Sequence, residues 1–242
     1  MGRDRLGVGG RGTSRCRSTR AAWVLRTALV LVVVSIGALT GCGGDDDGTS
    51  PASLKDRLLP ESELPGFKVV RSVEWDNPID FAHEGVPLPE ATPLSQAVDV
   101  FEDVGFEAGV GERLVAAKGS PFEGPDANVG VVQLGSDEDA RKALDYVRKE
   151  ALKQPCFAVC AVDSREFAVA GIPGAKGVHH SPLREPPPDA PPPFEDYGVA
   201  FTIGPRLFLV GAGGEPGQIK QERVLAAARA LYERNAKSGS AS

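Results

Sequence analysis

The sequence predicts an α+β fold, a mostly antiparallel sheet with helices packed on one face. Three observations predict it. Strand-like runs follow one another through the second half instead of alternating strictly with helices. One long amphipathic helix, near residues 136–153, interrupts them. Residues 197–204 (YGVAFTIG) and 206–213 (RLFLVGAG) read as a hairpin turning at Gly204-Pro205. A Gly-x-Arg-Leu core shared by GVGERLVAA (109–117) and TIGPRLFLV (202–210) adds the option of a duplicated unit.

The elements begin after an amino-terminal leader. Residues 1–26 carry Arg3, Arg5, Arg11, Arg15, Arg17, Arg20 and Arg26 against one acid, Asp4, a charge that holds this end on the cytoplasmic side of a membrane. Ala28 to Leu39 is uncharged. Such a stretch spans about 18 Å as a helix, short of the roughly 20 residues a bilayer core needs, and matches the apolar region of an export signal. The other reading is an uncleaved anchor from Ala21 to Gly41, which would place Arg26 within the span at a cost of about 2.5–3.5 kcal/mol if central.

Leu39-Thr40-Gly41-Cys42 resembles the lipobox of bacterial lipoprotein precursors, an aliphatic residue, two small ones and a cysteine. The resemblance covers residues 1 to about 50. It implies that Cys42 receives a diacylglyceryl group, that cleavage falls between Gly41 and Cys42, and that the product is anchored to the outer face of the cytoplasmic membrane. Each buried lipid methylene contributes about 0.8 kcal/mol, so two chains on Cys42 would hold the protein there. On this reading residues 1–41 are the signal peptide and 42–51 a lipidated tether, and one α+β domain fills 52–235 before a frayed tail at 236–242. The tether GGDDDGTSP reaches about 17 Å as a flexible coil. Asp45, Asp46 and Asp47 within it read as a solvated run rather than a cation site. The order of lipobox, tether and a domain opening LLPESELPGF also resembles small lipoproteins of high-GC Gram-positive bacteria, some with sensor-like domains.

Charge narrows the partners. The chain has 27 basic and 33 acidic residues; removing the 7 and 1 of the leader leaves 20 against 32, a net charge near −12. That sign argues against nucleic acid and against electrostatic adhesion to anionic lipid.

Within the domain the spacing predicts a short helix over 54–59, a strand over 67–74, a helix over 93–103 and extended segments over 105–117 and 127–135. Ser136 with Asp139 caps the long helix, and Ala140, Ala143, Leu144, Val147 and Ala151 form its apolar stripe. Strands are expected at 166–172 and 175–180 before the hairpin, and a final helix over 216–235.

Few residues carry candidate chemistry. Cys156 and Cys160 read as a structural disulfide outside the cell; along a strand their Cα atoms would lie about 13 Å apart, so the loop must bend, and closing it is worth about 2 kcal/mol. A redox pair is the alternative, against which stands the three-residue spacing. His83, His179 and His180 are the histidines; the last two, adjacent on a strand, point to opposite faces, which predicts one packed ring and one solvated ring and no shared metal. No motif for a serine nucleophile, zinc hydrolase or phosphate loop occurs, and no cofactor is implied. SPLREPPPDAPPPF (181–194) reads as a stiff connection between two strands, or else a docking arm for an aromatic groove. Trp75 with Asp76-Asn77-Pro78 marks either a turn against the core or the rim of a ligand site. The leading expectation is a lipid-anchored, non-catalytic binding or sensor domain for a small molecule, peptide or envelope glycan. An accessory protein acting through a protein partner comes second and an envelope hydrolase third.

Overall fold

The computed structural model describes residues 50–64, 66–85, 92–117, 125–153, 162–183 and 193–238. All lie in one compact unit, Asp45–Ser242. Its centre is a seven-stranded sheet in which every neighbouring pair is antiparallel: β1 (Phe67–Trp75), β2 (Ala108–Ala116), β3 (Asp126–Gln133), β4 (Val162–Phe167), β5 (Lys176–Pro182), β6 (Glu195–Ile203) and β7 (Arg206–Gly214). The order is β1-β2-β3-β7-β6-β5-β4. Two meanders therefore meet at β3 and β7. The expected α+β class and antiparallel sheet are what the chain forms, including the hairpin, where Gly204 takes a φ of 58° that suits glycine.

Helices lie against both faces of that sheet, one face more than the sequence reading had. Leu54 of α1 (Pro51–Lys55) and Val224, Ala228 and Leu231 of α5 (Gln221–Ser238) join Val110, Val129, Val131, Val199, Phe201, Phe208 and Val210 in one core. On the opposite face Phe81 of α2 (Pro78–Glu84), Phe101 of α3 (Leu94–Asp103) and Ala140, Ala143, Leu144 and Val147 of α4 (Asp137–Leu152) pack with Trp75, Val132, Ala200 and Leu207. The alternation is the cause: neighbours such as Leu207 and Phe208 point to opposite faces, and a strand apolar at every position must be covered twice. Phe201 and Phe208 are fully buried and stacked, with centroids 5.2 Å apart. Each such ring contributes roughly 1.5–3 kcal/mol through burial.

Local chemistry sets the element ends. Ser136 caps α4 as expected, its hydroxyl accepting from the Asp139 N–H at 3.2 Å and donating to the Asp139 carboxylate at 2.6 Å. The first helix sits earlier than expected, at Pro51–Lys55, because Ser50 caps it and Pro51 opens it; Leu58 and Leu59 are buried beyond its end. The strand expected at 166–172 is Val162–Phe167 instead. Gly171 and Gly174, at φ 88° and 71°, turn the chain out of the sheet, while Ile172 drops into the core. Gly217 at φ 82° likewise delays α5 to Gln221. The two Gly-x-Arg-Leu copies occupy different roles, one in the middle of β2 and one across the β6–β7 turn, so they do not mark equivalent positions of a repeat.

Candidate functional site

Gly41, Cys42, Cys156 and Cys160 lie outside the described residues. The segment holding the two later cysteines joins α4 to β4, and the proline-rich run joins β5 to its neighbour β6, with 184–192 outside the described residues. Trp75 belongs to the core rather than to a rim: it is 5% exposed and meets Phe81 edge-on at 5.1 Å. Its companion Asn77 caps α2, a helix the sequence reading missed because only Phe81 and Ala82 of its seven residues are buried. His83 is exposed on that helix. Among the described residues no three His, Cys, Asp or Glu side chains are grouped to hold a metal.

His179 and His180 do face opposite sides of the sheet, but neither is solvated. On the α5 side His179 Nε2 donates to Glu195 Oε1 at 2.9 Å, and its ring stacks on Tyr197 with centroids 4.2 Å apart. Glu195 also accepts from the Tyr197 hydroxyl at 3.0 Å and the Gly217 N–H at 2.8 Å. Burial works against the charge of Glu195, yet these three donors outweigh it and hold the carboxyl below its ordinary range. Burial and that carboxylate push the Tyr197 phenol up to about 12. With three donors on one carboxylate, the cluster ties α5's approach to the strands. On the α4 side His180 Nδ1 lies 2.7 Å from Asp196 Oδ1 and its Nε2 lies 2.6 Å from the Ala151 carbonyl oxygen. A ring packed on each side is the consequence of two covered faces.

The face shared by α2, α3 and α4 is covered only in part. Trp75, Val132, Leu207 and Ala200 are buried beneath the helices at the half nearer the β6–β7 turn. Beyond them the strands show glycine. Gly111 pairs with Gly130, Asn128 with Gly211, Gly211 with Gly198, and Gly213 with Asp196, so five glycines from four adjacent strands pave one face. Gly111 and Gly130 are buried beneath Trp75 and Gly213 beneath Phe194, while Gly198 and Gly211 between them are half-buried and Arg113 and Asn128 are exposed, so the face opens to solvent at Gly198 and Gly211.

The space above the glycines is used unevenly. A Cβ on Gly111 would fall 2.3 Å from the Trp75 ring, one on Gly211 2.7 Å from the Asn128 side chain, and one on Gly213 2.5 Å from Phe194. Over Gly198 the nearest atom is the Val178 carbonyl oxygen, 4.0 Å away. The result is a short shelf of bare backbone at Gly198 and Gly211, lying between the part of the face that the core residue Trp75 fills, the 44%-exposed Phe194 and the close of α4 beside Asp196. Arg113 pairs with Asp126 at 3.0 Å and Arg71 with Glu84 at 3.1 Å along its β1–β2 side, both half in water and worth little to stability. Glycine inside a strand weakens it, and it commonly marks where a ligand or another backbone comes close. The spacing two apart, in Gly109/Gly111 and Gly211/Gly213, was the signal in the sequence.

No protein-family model matches the chain, and no curated protein matches it. Among solved structures the chain is similar to the extracellular domain of PknH from Mycobacterium tuberculosis, at 15% identity and a TM-score of 0.50, over 77% of this chain and 97% of that one. A putative uncharacterised protein, the Rv0999 ortholog from Mycobacterium smegmatis, matches at 15% identity and a TM-score of 0.38, over 78% and 97%. At such identity the PknH likeness is one of fold. Among the described residues no helix is long and apolar enough to cross a membrane.

Proposed function

We propose that this chain is a lipid-anchored, non-catalytic domain of the outer side of the cell membrane that binds a ligand on its glycine-paved shelf. The glycine paving is the observation that carries the reading. A sheet face built for stability alone would bear β-branched or aromatic residues, as the α5 face does, because these pack and glycine does not. Gly198 and Gly211 keep a flat, half-open floor between the rings of Trp75 and Phe194, which lie over Gly111 and Gly213, and onto that floor an extended or planar molecule fits: a small molecule, a peptide or an envelope glycan. The leader ending at Leu39-Thr40-Gly41-Cys42 supports the location, and the fold shared with an extracellular domain agrees with it. Cys42 would then carry the lipid, and the short acidic tether would keep the shelf close to the membrane.

Two measurements test the proposal separately. Mass spectrometry of the protein purified from membranes should find Cys42 as the diacylated first residue; an intact leader or a bare thiol would remove the anchor from the account. A thermal-shift panel of stem peptides, muropeptides and short envelope glycans should give at least one stabilising ligand. Amide shifts in its titration should gather at Gly198 and Gly211, and shifts confined to the α5 face would contradict the assignment.

A further inference from the structure

We propose that His180 is a proton-operated latch that fastens the end of α4 to the sheet beside the shelf. Both ring nitrogens meet acceptors, Asp196 Oδ1 at 2.7 Å and the Ala151 carbonyl at 2.6 Å. An imidazole can donate through both nitrogens only as the cation; the neutral ring has one N–H and one lone pair. Loss of the proton therefore sets a lone pair against either a carboxylate or a carbonyl, and one of the two links must part. The ring is enclosed, with its side chain 11% exposed, so water does not readily replace the lost partner.

The position gives the proton its effect. Ala151 lies in the last turn of α4, where unpaired carbonyls gather partial negative charge that favours a cation. Asp196 pairs in register with Gly213, so one end of the latch is on the shelf and the other on the helix that walls it. The surrounding charges leave Asp196 as the acid available to the ring. From α4, Arg148 is paired with Glu166 of β4 and with Asp145, and Glu150 with Lys153; directly across on β4 stands Ser164. Burial lowers the affinity of His180 for its proton, but Asp196 and the Ala151 carbonyl more than restore it, leaving the pKa above the ordinary 6.5. A raised value means that the latch's contribution is fully present below pH 6.5 and is lost as pH rises through the folded value. In the acidic range the wall is fastened; in the alkaline range the end of α4 is released.

The latch goes beyond the ligand reading and stands whether or not the shelf binds anything. Its test is a pH titration of the purified chain in detergent micelles, following the His180 ring and the backbone amides of 149–153 by NMR. The ring should titrate above 6.5, with the α4 amides moving at the same midpoint. Asp196→Asn should bring that midpoint down. The melting temperature of the unaltered chain should fall by about 2–4 °C more than that of His180→Gln between pH 6 and 9, the shift expected of one latch in a domain of this size. A ring midpoint at or below 6.5, or α4 amides indifferent to it, would overturn the latch, and both readings come from the unaltered chain even where a variant fails to fold.

Discussion

The two faces of the sheet are made from the same strands by different rules. In β7, Phe208 and Val210 point into the α5 core, where both are buried, while Leu207, Leu209, Gly211 and Gly213 point the other way and run from packed leucine to bare glycine within four positions. The α5 face is filled along its length by side chains that interlock. The α4 face is filled at one half and emptied at the other. The difference separates what holds the fold together from what the fold leaves free: apolar volume concentrates where stability is needed, and glycine where the sheet surface must stay accessible.

Substitutions can break or sharpen this contrast. The largest effect belongs to the filled face: Phe208→Ala removes a fully buried ring stacked on Phe201 and should cost about 3–5 kcal/mol in denaturant unfolding. At the boundary, Gly111→Val would drive a side chain into Trp75, which sits 2.3 Å from where a Cβ would be, and should cost about 1–3 kcal/mol by overpacking. A loss below 0.5 kcal/mol there would mean that Trp75 is mobile and the shelf longer than described. Ser136→Ala, which takes away the cap of the helix walling the shelf, should cost about 1 kcal/mol. Smaller still is the pH response of the α5 face. Glu195 has a lowered pKa, so its contribution is present above the ordinary carboxyl value of 4.5 and lost as pH falls through the folded value. Glu195→Gln should flatten the acid limb of the stability profile. Because His180 loses its contribution at the alkaline side, the two histidine–carboxylate pairs should be separable by pH alone.

Much of this was legible in the sequence, and the misses share a cause. Long amphipathic patterns gave α4, α3 and the β6–β7 hairpin to within a few residues, because their periodicity and caps agree. α2 escapes the sequence because two buried residues make no stripe, and the second helical layer does because a continuous apolar run such as VGVVQL announces a strand but not what covers each of its sides. Opposite directions for His179 and His180 followed from strand geometry, but their burial did not, since it depends on Glu195 and Asp196, brought alongside from the far end of the proline-rich run. The shelf was written in the closely spaced glycines of β2 and β7, yet only the strand order shows that they share one face with a single strand, β3, between them.

One substitution tests the shelf most directly. Gly198 has no atom closer than 4.0 Å to the site of an added Cβ, so Gly198→Val should leave the unfolding free energy within the range of an ordinary surface change, about 0.5 kcal/mol either way. The added side chain would stand on the open floor. This variant, folded and as stable as its parent, should lose the thermal shift produced by whichever envelope fragment stabilises the unaltered chain. An undiminished shift would place the ligand elsewhere and leave the glycine paving without a role in binding.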